Sequence, residues 1–174
     1  MALAQSIVVA IDPSLTGTAV TIMDENAEYE MYRFTSEAAP GLVGRFARYK
    51  ELVSKVKATI AGRQPELILI ESYSYGSKGA AITQLAEYGG LLRAYLLKLA
   101  PVIEVPPNAL KLFVTGKGQA KKPAIAVGVY KHWGQEFATD DETDAYGLAR
   151  MAVCKVGWFD AKNEGQRKAL AKLK

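Results

Sequence analysis

The 174-residue sequence holds one cysteine, Cys154, and one histidine, His132. A lone cysteine excludes an internal disulfide and a thiolate metal cage, and a lone histidine excludes a paired-histidine metal site. Any divalent-cation chemistry in this chain must therefore rest on carboxylate oxygens. Long apolar runs are missing too: stretches such as Leu67 to Ile70 fall far short of the ~18 residues that span a bilayer. The first residues lack the basic flank and extended apolar stretch of a secretion signal. These absences point to a soluble, cytoplasmic protein with no membrane partner. No repeat, low-complexity tract or linker is evident. The expectation is a single domain over residues 1–174, with residues 157–174 a polar, basic tail that frays.

Charge is present but unevenly placed. The 22 basic and 18 acidic residues leave a net charge of +4. Between Lys111 and Lys131 lie only bases, at Lys111, Lys117, Lys121, Lys122 and Lys131, whereas Glu136 to Asp144 carries five acids and no base. A basic stretch beside an acidic cluster suits an enzyme that grips a polyanion with one part and holds cations with the other. Charge runs alone more often mark solvated faces, so the motifs have to decide.

The β-branched run Ser6 to Ile11 predicts a buried strand ending at Asp12-Pro13. Thr18 to Met23 and Tyr29 to Thr35 continue it as a meander. Apolar residues at Leu42, Phe46, Tyr49, Val53, Val56 and Ile60 line one helix face. Glu66 to Ile70 reads as a central parallel strand with Glu71 at its end. A second helix is expected from Ala80 to Leu99, its core face formed by Ile82, Leu85, Gly89, Leu92, Leu96 and Leu99. Val102 to Val105 makes a short strand. Further helices follow: one capped by Asn108, one over Lys122 to Trp133, and one capped by Thr139 or Asp140 and running to Val153. Strands first, then strand and helix alternating, predict an α/β sheet with helices on both faces.

Three acidic features fall where such a sheet would converge. Asp12 lies in IDPSLTGTA, Glu71 in LILIESYSYG, and Asp141 and Asp144 in TDDETDAYGLA. Sites in open α/β sheets gather at the C-terminal ends of strands, which allows Asp12 and Glu71 to be neighbours. The i, i+3 spacing puts Asp141 and Asp144 on one helix face. Four carboxylates aimed at one small volume repel unless cations sit among them, which implies Mg²⁺ or Mn²⁺. Two such ions ~4 Å apart activate water and stabilise the leaving oxygen of a phosphodiester. Each carboxylate alone has an ordinary explanation, as a turn residue or a helix cap; their order and the basic segment between the second and third do not.

That order, Asp in IDPSLTGTA, Glu in LILIESYSYG and Asp-x-x-Asp-Ala in DETDAYGLA, resembles the RuvC family of Holliday junction resolvases in the ribonuclease H-like superfamily, over about Ile7 to Val153. The resemblance implies a mixed five-stranded sheet, an antiparallel meander followed by parallel strands. It implies hydrolysis of four-way DNA junctions by a homodimer with two Mg²⁺ ions per site, leaving 5′-phosphate and 3′-hydroxyl ends. Asp12, Glu71, Asp141 and Asp144 match the metal-binding carboxylates, with Asp140 the neighbour that competes with Asp141. Lys111 and Lys122, within NALKLFVTGKGQAKKPAIA, match phosphate-contacting lysines near the scissile bond, and Lys122 counts with the four carboxylates as catalytic. Lys117 and Lys121 are then candidates for backbone contacts. The family's junction-stacking aromatic aligns with Ser74 here, so Tyr73 or Tyr75 would take that role, with Lys78 in the same loop as a DNA contact. A broader ribonuclease H-like nuclease acting on RNA, forks or branched DNA shares the same carboxylates.

Overall fold

A computed structural model describes residues 5–73 and 80–173 of the chain. Five strands form one mixed sheet: β1 (Ile7–Asp12), β2 (Thr18–Asp24), β3 (Tyr29–Phe34), β4 (Pro65–Glu71) and β5 (Val102–Val105). Their spatial order is β3-β2-β1-β4-β5. The meander pairs antiparallel, β1 with β2 and β2 with β3, while β4 lies parallel to β1 and β5 parallel to β4. Every residue of β1 and β2 is buried, as expected of β-branched runs covered on both faces.

Helices α1 (Gly41–Ile60) and α2 (Ala80–Leu96) cover one face. There Ile7, Val9, Ile11, Ile68 and Ile70 meet Tyr49, Leu52, Val56, Tyr88 and Leu92. The other face carries α3 (Pro107–Thr115), α4 (Lys122–Trp133), α5 (Asp140–Lys155) and α6 (Glu164–Leu170). On that side Val8, Ala10, Leu67 and Leu69 pack against Phe113, Tyr146, Leu148 and Ala152. The alternation along β1 and β4 has a consequence for the site. Successive side chains of a strand point to opposite faces, so Asp12 follows Val8 and Ala10, and Glu71 follows Leu67 and Leu69, onto the α5 side.

Thr139 is the N-cap of α5. Its side chain accepts from the Glu142 amide at 3.3 Å while Glu142 accepts from the Thr139 amide at 3.0 Å, a reciprocal box that fixes where the first turn begins. Asp141 and Asp144 therefore leave α5 at its sheet-facing start.

Several elements differ from the sequence expectation. Helix α2 ends at Leu96, with Leu97 to Leu99 in a turn. Its buried face includes Tyr88, whose hydroxyl lies 2.8 Å from the Thr18 hydroxyl; burial pushes its pKa up to about 12. Leu42 is 63% exposed and does not belong to the α1 core face. Helix α3 begins at Pro107 with Pro106 as N-cap, rather than at an Asn108 cap, because proline's preset φ suits a first turn and its missing N–H costs nothing there. Helix α6 (Glu164–Leu170) stands where the sequence suggests a fraying tail. Asn163 caps α6 by accepting from the Gln166 amide at 2.9 Å, and Gln166, Ala169 and Leu173 are buried. Among the described residues, no helix is long and apolar enough to cross a membrane.

Candidate active site

Asp12 and Glu71 end adjacent parallel strands on the same face, one step beyond the Ile11–Ile70 register pair. Asp12 is buried to 7% exposure although it is ionisable. Burial and repulsion from Glu71, Asp144 and Asp141 hold its carboxyl well above the usual carboxylate range. Glu71 is raised as well, chiefly by burial, and its hydrogen bond with Asp12 and the charges of Lys111 and Lys122 pull it back. Asp144 is pushed up to about 7, first by burial and then by Glu71, against the pull of Lys122. Three stretches of chain thus bring Asp12, Glu71, Asp141 and Asp144 within electrostatic reach of one another.

Ionised together, these oxygens repel, and among the described residues no three His, Cys, Asp or Glu side chains close into a ready-made cation cage. A divalent ion held among them would offset that repulsion. The donor set fits one: hard carboxylate oxygens with no thiolate or imidazole among them, suited to Mg²⁺ or Mn²⁺. Asp140 stands differently from Asp141. It is exposed, and its Oδ2 pairs with Lys122 Nζ at 3.3 Å, which raises the Lys122 pKa despite the opposing effect of burial. Asp141 instead pairs with Arg33 Nη2 at 3.4 Å, and its charge adds to the repulsion on Asp12 and Glu71.

Lys111, on α3, and Lys122, at the start of α4, both act on Glu71 and so border the carboxylates. Lys117 and Lys121 lie exposed in and beside the connection between those helices. Tyr73 turns back onto α2. Its hydroxyl donates to the Ala86 carbonyl at 3.3 Å and accepts from Arg93 Nη1 at 3.0 Å, and the Arg93 guanidinium sits 4.4 Å from its ring centre. Tyr75, Lys78 and Ser74 lie outside the described residues.

Two arginines missing from the sequence expectation border the site. Arg93 donates to the Glu71 carbonyl at 3.0 Å and to the Gly89 carbonyl at 3.2 Å, so α2 grips the end of β4 where a carboxylate must be aimed. Arg33, on β3, reaches Asp141 Oδ2 and the Thr16 carbonyl, each at 3.4 Å. Strand parity was the available signal for Arg33: it shares a face with Tyr29 and Met31, both packed toward α5. Nothing in the local sequence marks Arg93.

Gly17, between β1 and β2, leaves the space that Asp141 and Arg33 use. A methyl group there would overlap Asp141 Oδ2 and the Arg33 guanidinium. Gly17→Ala is expected to displace both side chains and cut any turnover that rests on these carboxylates about tenfold or more, because misplacement of about 1 Å at a reacting centre has effects of that order. Melting should shift by only a few degrees. Paired turnover and thermal-melting measurements check this; wild-type turnover would show that Asp141 needs no such clearance.

A family model described as crossover junction endodeoxyribonuclease RuvC matches residues 8–154. The protein of that name from Chlorobaculum parvum is 34% identical over 105 residues, which cover 59% of this chain and 56% of that protein. Its namesake from Carboxydothermus hydrogenoformans is 25% identical over 154 residues, covering 86% of this chain and 97% of the relative. Thermus thermophilus RuvC superposes with a TM-score of 0.67 at 17% identity, over 85% of this chain and 94% of that one. The same protein in complex with Holliday junction substrate gives 0.68 at 16% identity, over 88% and 97%. At such identity the structural likeness speaks for the fold: the mixed sheet with helices on both faces is the ribonuclease H-like arrangement.

Proposed function

Since the chain belongs to the RuvC family of crossover junction endodeoxyribonucleases, we propose that it resolves four-way DNA junctions by metal-dependent hydrolysis of phosphodiester bonds. The observation that carries this reading is the convergence of Asp12, Glu71, Asp141 and Asp144 at one end of the sheet, bordered by Lys111 and Lys122.

Asp12, Glu71, Asp141 and Asp144 would hold two divalent ions, Mg²⁺ or Mn²⁺. Such ions, when bound, lower the pKa of attacking water and offset charge on the leaving oxygen. The protein's part is positional. β1 and β4 present Asp12 and Glu71 side by side, and the Thr139 cap sets the start of the helix that carries the other two acids. Lys122 places a compact cation by the carboxylates, where it can offset charge that develops on the scissile phosphate. Lys111 steadies the same strand, and Lys117 and Lys121 extend the contact along the backbone. The products would carry 5′-phosphate and 3′-hydroxyl ends.

For junction stacking, the engagement of Tyr73 with Arg93 and Ala86 favours Tyr75 over Tyr73, with Lys78, three residues further along the sequence, as a DNA contact. Symmetric resolution requires two sites, hence a homodimer. The exposed Leu91 and Leu97, on α2 and in the turn after it, support an interface near that helix.

The test is cleavage of end-labelled substrates in Mg²⁺: a four-way junction, a fork, a linear duplex and an RNA–DNA hybrid. Paired symmetric nicks in the junction, with little cutting of the others, are expected. Equal cutting of fork or hybrid would instead favour a general ribonuclease H-like nuclease.

A further inference from the structure

We propose that Arg33 is a second kind of phosphate ligand in this site, an arginine that rests on Asp141 until a divalent cation takes that carboxylate and then turns to the DNA backbone. The inference rests on the junction-nuclease reading above and adds a residue to it.

Arg33 arrives from a different direction than the lysines. Those come from α3 and α4, whereas Arg33 projects from β3, opposite Ala19 of β2, and crosses the space left by Gly17. Its pairing is loose. A single guanidinium nitrogen, Nη2, makes both contacts, to Asp141 Oδ2 and to the Thr16 carbonyl, and each is long at 3.4 Å. The side chains of Arg33 and Asp141 remain 30% and 23% exposed, so the pair sits at the rim rather than within the core. Guanidinium offers five N–H donors in a planar fork that matches a phosphate. Most of that capacity is unspent here. By contrast, Arg48 and Arg93 each spend several donors on neighbouring carbonyl and side-chain oxygens and serve as struts.

A cation engaging Asp141 would add positive charge beside Arg33 and remove its partner. Both changes push the guanidinium outward, toward the side from which a polyanion approaches. The relation is reciprocal: while Arg33 rests on Asp141 it competes with the ion, so its removal should strengthen cation binding.

The test uses the full chain and two variants, Arg33→Gln and Arg33→Lys. Binding to a four-way junction is measured across a salt series, once with Ca²⁺ in place of Mg²⁺ and once with chelator. Each lost phosphate contact lowers the slope of log affinity against log salt by about 0.9. For Arg33→Gln the slope should fall by about one unit per site with Ca²⁺ and stay unchanged in chelator, while Arg33→Lys, which keeps the charge, retains the slope in both. Separately, Mn²⁺ titration of the protein without DNA should show about fivefold tighter binding by Arg33→Gln, the scale expected for removing one exposed charge neighbour. A slope unchanged with Ca²⁺, a slope that falls equally in chelator, or unaltered Mn²⁺ affinity overturns the proposal. Failure of the wild type to prefer junction over duplex would instead defeat the functional reading, and the DNA-free Mn²⁺ arm would still decide on Arg33.

Discussion

Asp12→Asn should abolish junction cleavage while leaving the fold intact and, without metal, more stable. Asn keeps the shape of Asp and removes the charge, and Asp12 is the most deeply buried carboxylate of the site. In the wild type its ionised form meets Glu71, Asp144 and Asp141 in a poorly solvated place, a cost that the neutral amide avoids. Strand scission should fall roughly a thousandfold, about 4 kcal/mol of lost transition-state stabilisation. Melting in chelator at pH 8 should rise by a few degrees. Gain of stability with loss of turnover identifies a residue kept for chemistry, since a structural residue loses both. Turnover near wild type would remove Asp12 from the site.

The second large effect is a reversal of the usual pH dependence of stability. Most folded carboxylates are held below their ordinary pKa, as Glu30 is, lowered to about 2 by its hydrogen bonds from Arg63 and Tyr32. Such a group stabilises the fold above the unfolded pKa, and that stability is lost on acidification. Asp144 does the opposite. Its pKa is about 7 in the folded chain against 3.8 unfolded, so between those values the folded chain binds more protons than the unfolded one. Stability then falls as pH rises through that window. Asp12 is raised in the same direction and adds to the effect, while the contribution of Glu30, whose pKa moves from 4.5 to about 2, falls below pH 5.5. In chelator, melting at pH 5.5 should exceed melting at pH 8 by about 5 °C, a shift expected of a kcal/mol or two in a chain of this size. Mg²⁺ or Mn²⁺ should narrow the gap, because a cation competes with protons for the same oxygens and helps most where they are ionised. A melting temperature that climbs from pH 5.5 to 8 in chelator would contradict this electrostatic account.

Much of the arrangement was legible because it depends on short-range periodicity. The β-branched runs of β1 and β4 mark strands, a period of two puts Asp12 and Glu71 on one face, and an i, i+3 spacing aligns Asp141 with Asp144. The choice between Thr139 and Asp140 as cap needed the Glu142 side chain in place. What escaped the sequence depends on contacts between distant segments. Arg93 looks like any polar helix residue until the Glu71 carbonyl lies beside it. Strand parity puts Arg33 on the α5 side, but its pairing with Asp141 emerges only across the Gly17 gap. Tyr88 joins the core because Thr18 offers its hydroxyl a partner, which no apolar pattern encodes. Helix α6 is seven residues long, too short for a periodic signal, and docks by Gln166 and Ala169 on a surface built elsewhere.

Manganese binding by the purified chain, followed by electron paramagnetic resonance as free Mn²⁺ is depleted, tests the shared-carboxylate site most directly. Asp12→Asn, Glu71→Gln and Asp144→Asn should each weaken binding at least about tenfold, and Asp140→Asn, whose carboxylate pairs with Lys122 at the surface, should leave it nearly unchanged. Wild-type affinity in all of the first three variants would mean that these acids do not hold a cation in common.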